Sequence, residues 1–394
     1  MWLLFALYAI VLILYARQVR VSGKVVHPEL GVTAEPVHEN MPSVTVVVPF
    51  KDEEVLIASC LESVLQQDYP ALDVIAVNDR SVDESGSVVR RLQEKHEALR
   101  LDEIRELPDE MFGKPHALHE ATANLKSDLV IFLDSDFHME PGCIRSLVQQ
   151  FMKENVDWIA VMARPDLVTG WERMLMPFFG AMVYAWHDPA RIADPDNEDA
   201  LGSGFMIVRR EAYEAVGRHG AVVRAYDEDS ELLRVAKRAK QRVSYLMAPQ
   251  IATVRFYGGL SKLVHGLTRT LIGGLKNTGQ FIITITSVQF VSLMPFAVLI
   301  GAWITAPLGS GGLFTALFAA LAIVHMAISI SMGILINRVS GVPAAYCLLQ
   351  PVTALVMTII VARAAILRMR NRKVSWRGTQ YDTTAVTGSQ ETTS

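Results

Sequence analysis

The chain has 394 residues, 51% of them hydrophobic, with 37 basic against 41 acidic side chains and a formal charge of −4. That length accommodates one large domain and a second region, and so small a net charge gives no electrostatic footprint for nucleic acid or an acidic partner. Cys60, Cys143 and Cys347 are scattered with no CxxC pair, which excludes a paired-cysteine zinc site and a disulfide framework and fits a reducing compartment.

Met1 to Ala16 is almost wholly apolar, slightly short of the roughly 20 residues that cross a bilayer. No basic start precedes it and no small-x-small cleavage site is clear, so residues 1–22 are expected to be an uncleaved anchor. Arg17, Arg20 and Lys24 follow directly and place that end in the cytoplasm.

From Val44 onward strands and helices alternate. Val44 to Val48 is a β-branched run of the fully buried kind, and Leu56, Cys60, Leu61, Val64 and Leu65 give helical spacing across Glu53 to Gln67. Leu72 to Val77 is the second strand and Ser85 to Leu92 opens the next helix. His116 to Leu125 is a helix leading into the apolar strand 128–133, which runs straight into Asp134-Ser135-Asp136. A helix at Cys143 to Met152 and a strand at Trp158 to Ala163 follow. This alternation predicts an α/β domain over residues 42–276 with a parallel sheet and helices on both faces. Ligands of such sheets bind beyond the carboxyl ends of the strands. Trp171 to Trp186 is a Met- and aromatic-rich helix; it suits either the headgroup boundary or the core.

Ile282 to Thr305, Leu313 to Ile336 and Ala344 to Leu367 are expected membrane spans, within residues 282–367. Two rules conflict here. Three spans after a cytoplasmic domain leave the tail outside, yet the tail begins with the basic run 368–373, which belongs inside. Either one segment is re-entrant or the charges yield to the hydrophobicity of the spans. The tail, residues 368–394, is basic and then polar, with 383–394 expected to be disordered.

Four acidic positions follow strand-like runs or a turn: Glu53 after Pro49, Asp79, the pair Asp134 and Asp136, and Asp229. One acid after a strand is commonly a cap or turn residue; an ordered set of four is more specific. Two carboxylates one residue apart at the end of a buried strand suit a hard divalent cation, Mg²⁺ or Mn²⁺, held against a diphosphate. His116, His119, His138 and His265 form no recognised zinc spacing.

In order, these residues resemble family 2 glycosyltransferases, whose fold is GT-A, a Rossmann-like mixed sheet; here it would be joined to α-helical transmembrane segments. The stretch 44–54 looks like the family's strand and Pro-x-x-Asn-Glu-Glu turn, with Asp52 in the Asn position. Asp79 matches the acid that reads the donor nucleoside. Gly113-Lys114 matches the Gly-Lys before the metal motif, and Asp134-Ser-Asp136 matches DxD. Glu228-Asp229-x-x-Leu232 matches the motif whose Asp is the catalytic base, and 202–210, containing Gly204, resembles the acceptor-side strand.

The resemblance implies donor binding by Pro49, Glu53, Asp79, Lys114 and Asp134, metal binding by Asp134 and Asp136, and base catalysis by Asp229. Gly204, Glu228, Arg255, Tyr257 and Arg269 fall on the acceptor or diphosphate side, although a basic cluster before membrane spans also meets lipid headgroups. Trp376 and Tyr381 are either interfacial anchors or a flap over the donor. The layout is similar to membrane-bound enzymes acting on lipids, carotenoid-acid and hopanoid-associated glycosyltransferases among them and ceramide glucosyltransferases more distantly. One departure is Arg269-Thr270, with Gly266 before it, where processive synthases carry Gln/Arg-x-x-Arg-Trp.

The expected reaction is a metal-dependent, inverting transfer of a hexose from a nucleotide sugar, UDP-linked, to a membrane lipid, by a multi-pass cell-membrane protein with its catalytic domain in the cytoplasm. A processive polysaccharide synthase, a nucleotidyltransferase and a catalytically silent scaffold are the competing readings. The intact set of acids speaks against the scaffold.

Overall fold

The computed structural model describes residues 41–187, 191–192, 194–256, 258–275, 277–305, 312–370, 374–376 and 379–381, with 29–31 and parts of 2–13. Most of the expected tail, Arg17, Arg20, Lys24, Tyr257 and the domain boundary at Lys276 lie outside the described residues.

An eight-stranded mixed sheet organises the soluble part, in the order β3-β2-β1-β4-β7-β6-β8-β5. Its strands are β1 (Val44–Phe50), β2 (Leu72–Asp79), β3 (Leu99–Ile104), β4 (Leu129–Leu133), β5 (Phe137–Met139), β6 (Trp158–Pro165), β7 (Phe205–Arg209) and β8 (Val243–Val254). β1 pairs in parallel with both β2 and β4, and β2 with β3. Every residue of β1 and β4 is buried, as expected of strands covered on both faces. The parallel expectation holds for that half and for the pair β6–β8. β7 runs antiparallel between β4 and β6, and β5 runs antiparallel to β8. The reversal matters, because it returns the chain at Gly202–Gly204 to the edge where β1, β2 and β4 end.

Alternate side chains of β1 serve opposite faces. Val44, Val46 and Val48 pack with Leu61 and Val64 of α1 (Ile57–Leu65). On the other face Val47 joins Leu118 of the helix Gly113–Ala121 and Leu233 of the helix Glu228–Arg238. Between these come α2 (Ser85–Gln93), then α3 (Gly113–Ala121), α4 (Cys143–Glu154), α5 (Gly170–Trp186), α6 (Arg210–Ala215) and α7 (Glu228–Arg238). The sequence left β3 and β5 unassigned. β3 is half charged and only partly buried, and β5 has three residues.

A third apolar cluster joins this domain to the C-terminal helices α8 (Leu260–Gly274), α9 (Thr278–Ser292), α10 (Met294–Thr305), α11 (Gly312–Val339) and α12 (Gln350–Met369). Met174, Leu175 and Met182 of α5 pack there with Leu263, Leu267 and Leu271 of α8 and with Met357, Ile360 and Val361 of α12. Met174, Leu175 and Met182 of the Met-rich segment thus face the C-terminal helices. The first expected span is two helices, α9 and α10, bent by 53° at Leu293, just before Pro295. By length and composition two helices could cross a membrane, Gly312–Val339 with a mean hydropathy of 2.3 and Ala344–Met369 with 1.9. The second begins as a 3₁₀ turn, Ala344–Leu349. The short hairpin β9 (Val374–Trp376) and β10 (Thr379–Tyr381) follows.

Candidate active site

The carboxyl ends of β1, β2 and β4 converge, as the switch-point rule requires. Pro49, buried in β1, sits opposite Val77 of β2. The turn after β1 is held from the β2 side. Glu53 N–H donates to Ser85 Oγ at 2.7 Å and Asp52 N–H to Ser81 Oγ at 3.1 Å, while Asp52 Oδ1 accepts from Val82 N–H at 2.8 Å. Asp52, at φ 53, lies in the left-handed region that short polar side chains tolerate. Asp79 is buried and takes both bonds from Arg80, Nε at 2.7 Å and Nη2 at 3.1 Å. Arg80 was legible only as the residue next to Asp79.

Asp134 leaves β4 with its N–H donating to the Gly204 carbonyl at 2.8 Å. Gly204 has φ +72, and a Cβ there would lie 2.5 Å from Asp134 Oδ2, so glycine is required on both counts. A Cβ on Gly202 would collide with Asp229, and one on Gly113 with Asp79. Each of the three acids therefore has a backbone pressed against it.

Lys114 is the centre of the site. Its ammonium lies 2.7 Å from Asp134 Oδ1, 2.5 Å from Glu228 Oε1 and 3.3 Å from Asp229 Oδ2. Its side chain is only 14% exposed, which excludes the solvated-surface reading. Burial works against the Lys114 charge, but Asp134, Asp229 and Glu228 outweigh it and hold the pKa well above the ordinary range. Burial pushes Glu228 up, with Lys114 opposing. Burial also raises Asp229 well above the ordinary carboxylate range; Lys114 offsets part of this, and Glu228 and Asp134 add to it. Glu228 and Asp229 open α7, so they meet the helix dipole as well.

Asp136 is tied by its backbone: its carbonyl accepts from Arg255 N–H at 2.8 Å. The Arg255 guanidinium turns to Glu172 Oε2 at 2.7 Å and to the Asp166 carbonyl at 2.8 Å. Arg269 lies on α8, whose Leu263, Leu267 and Leu271 enter the third cluster. His138 is exposed, with Nδ1 3.4 Å from Ser59 Oγ. Glu172 is a buried residue the sequence reading passed over, because its one visible signal was a Thr169-x-x-Glu172 capping box.

The fit to a metal ion rests on the donor set. Among the described residues, no three His, Cys, Asp or Glu side chains surround a point able to hold an ion. Asp134 and Asp136 nevertheless offer hard oxygens from one turn, and Gly204 leaves open the space a Cβ would fill beside Asp134. That suits a cation of the Mg²⁺ type, which takes one or two carboxylates and completes its shell with water and substrate phosphate.

Residues 45–217 match the family described as Glycosyl transferase family 2. A 4,4'-diaponeurosporenoate glycosyltransferase of Staphylococcus aureus (strain bovine RF122 / ET3-1) is 26% identical over 254 residues, 62% of this chain and 65% of that protein. The counterpart in strain USA300 is 25% identical over 260 residues, 64% of this chain and 66% of its own length. The match thus spans slightly under two thirds of the length of these relatives. Among solved structures, the mannosyltransferase PcManGT from Pyrobaculum calidifontis, in complex with GDP-Man and Mn²⁺, superposes with a TM-score of 0.52. It is 18% identical, with 92% of this chain and 96% of that one covered, which speaks to the fold. Residues 45–217, with Asp79, Asp134 and Asp136 at one edge of a GT-A sheet, match a family 2 glycosyltransferase domain, and Asp229 lies beyond the matched stretch.

Proposed function

We propose that the protein transfers a hexose from a nucleotide sugar, a UDP-sugar by expectation, to a membrane lipid, with inversion at the anomeric carbon. The observation that carries this is the Lys114 bridge: one ammonium touches Asp134 on the donor side and Asp229 on the acceptor side. Donor phosphates and the acceptor nucleophile would then meet within one side chain's reach. The lipid acceptor is supported by the apolar helices packed under the site and by relatives named for a carotenoid carboxylate.

Asp79 and the turn at Pro49 and Glu53 would seat the nucleoside. Asp134 and Asp136 would hold a divalent cation, Mg²⁺ or Mn²⁺, which when bound neutralises charge on the leaving diphosphate. Lys114 adds a fixed positive charge beside the same oxygens. Asp229 takes the proton of an acceptor hydroxyl as that oxygen attacks the anomeric carbon. The bond from that carbon to the diphosphate breaks, and the nucleoside diphosphate leaves with the electron pair. The raised pKa of Asp229 makes it a stronger base than an exposed carboxylate. Its ionised fraction at working pH depends on keeping Lys114 close.

The test is transfer by membranes containing the protein, using labelled UDP- and GDP-sugars with and without Mn²⁺, followed by organic extraction and mass spectrometry. Wild type should label the organic phase, whereas Asp229→Asn should bind donor normally and transfer at least about 10²-fold more slowly, the scale of general-base catalysis. Wild-type turnover by Asp229→Asn sinks the assignment of the base.

A further inference from the structure

One buried carboxylate ties the metal-side turn to the membrane-facing helix. Glu172 is 1% exposed. Its Oε2 accepts from Val168 N–H at 2.9 Å, Thr169 N–H at 3.2 Å and Arg255 Nη1 at 2.7 Å. Its Oε1 accepts from Gly259 N–H at 3.2 Å and Arg255 Nη2 at 3.4 Å. The loop before α5, the first turn of α5 and the turn between β8 and α8 all meet on this side chain. Arg255 continues the path, since its N–H bonds the Asp136 carbonyl.

The same segments carry exposed apolar side chains: Val168 at 56%, Trp171 at 42% and Phe256 at 41%. Gly170, between the first two in sequence, faces the 3₁₀ turn ahead of α12: a Cβ there would lie 3.8 Å from Tyr346 Oη. Leu348 of that turn is 71% exposed. An apolar rim thus continues from the turn of Asp136 into a segment apolar enough to cross a membrane. Soluble surfaces rarely keep such rims uncovered, and the continuity with a segment apolar enough to cross a membrane argues for lipid as what covers this one.

We propose that this rim dips into the bilayer as the mouth through which a lipid-borne acceptor reaches the site, with Glu172 and Arg255 as positioning residues that hold the mouth against Asp136. Trp at such a place sits at headgroup depth with its ring in apolar material, which leaves the polar end of the lipid beside the catalytic acids. The inference rests on the transfer reading for the acceptor's role; the position of the rim does not.

The test uses the full chain in phosphatidylcholine–phosphatidylglycerol vesicles. Cys60, Cys143 and Cys347 are buried, so Trp171→Cys and Phe256→Cys can each be nitroxide-labelled selectively. Oxygen should relax both labels more strongly than a water-soluble nickel chelate does. Labels open to the chelate overturn the proposal, as do labels shielded from both reagents, which would mark a protein contact. In transfer assays with 4,4'-diaponeurosporenoate as acceptor and UDP-glucose or GDP-mannose as donor, Trp171→Ala/Phe256→Ala should raise the acceptor KM about ten-fold and leave donor affinity unchanged. Glu172→Gln, which also loosens Arg255 from the Asp136 turn, should raise the acceptor KM by more than it weakens donor binding, whereas equal loss toward donor and acceptor would reduce Glu172 to a structural prop and overturn its role. Absence of transfer by wild type would count against the proposed reaction, and the label depths would still decide the rim.

Discussion

Lys114 has three carboxylate partners and one charge, so it cannot compensate all three acids. Asp229 is the one burial pushes highest relative to its ordinary range. The sign follows directly. A base with a raised pKa becomes competent as pH rises through that value, so the acid limb of kcat/KM should lie above the ordinary Asp value of about 3.9. Lys114→Met removes the one opposing charge and should move that limb to still higher pH, as read from a pH–rate profile; an unmoved limb would separate Asp229 from the base role. The acceptor's own chemistry offers a second check. A carboxylate acceptor is ionised near neutrality and needs no base, whereas a hydroxyl does. Asp229→Asn should therefore cost about ten-fold or more extra toward a hydroxyl-bearing lipid than toward a carotenoid carboxylate, measured in competition. At Gly204, alanine meets both a left-handed φ and Asp134 Oδ2 at 2.5 Å. Backbone strain of that kind costs about 1–3 kcal/mol, so Gly204→Ala should weaken donor binding in titrations beyond any shift in Tm.

At the scale of elements, Glu172 joins three segments, and its ionisation is coupled to folding. Burial alone would raise its pKa, but Arg255 and the N–H groups of Thr169 and Gly259 bring it down to about 2. A depressed folded pKa contributes stability that is complete above the unfolded value of about 4.3 and is lost as pH falls toward 2. Wild type should therefore lose stability across that window, and Glu172→Gln, less stable at pH 7 by about 2 kcal/mol for its lost charged hydrogen bonds, should lack that portion of the fall in denaturant titrations. The same element shows what a sequence can and cannot tell. Local signals were readable: β1 and β4 from their apolar runs, α2 from its opening at Ser85, and the five acids from their places after strands or a turn. The partners of those acids were not. Lys114 meets Asp229 across 115 positions and Arg255 meets Glu172 across 83, and no periodicity encodes such distances. The reversal of β7 was hidden for the same reason, since a strand buried at four of its five residues reads alike in either direction.

For the whole molecule, helix pairings bear on the side of the membrane at which the chain ends. α9 and α12 run antiparallel, with Gln289 Nε2 2.7 Å from Thr358 Oγ1 and Gln350 Nε2 3.3 Å from Ser292 Oγ. Near the other end, Arg368 lies over the Phe281 ring and bonds the Ile272 and Leu275 carbonyls at the end of α8. Gly273 of that helix touches Tyr226, two residues before Glu228. The start of the segment, at Tyr346, faces Gly170. The start of Ala344–Met369 therefore lies against the catalytic domain and its end against α8, which reaches Tyr226 of that domain, so the segment is expected to return its tail to the side it started from. The conflict between three spans and a basic tail then disappears. The N-terminal helical residues pair Trp2 with Phe314, Phe5 with Phe318 and Tyr8 with His325, numbers rising together, so they run parallel to α11. α11 would bring the chain back toward the domain, setting Arg338, Arg363 and Arg368 on one side, as the positive-inside rule favours. A cysteine at Ser394→Cys should react with an impermeant maleimide only in vesicles that expose the catalytic domain, and Ser310→Cys only in vesicles of the opposite orientation. Labelling of both positions from one side would mean that the α10–α11 hairpin does not cross, and labelling of Ser394→Cys from the far side would restore a full third span.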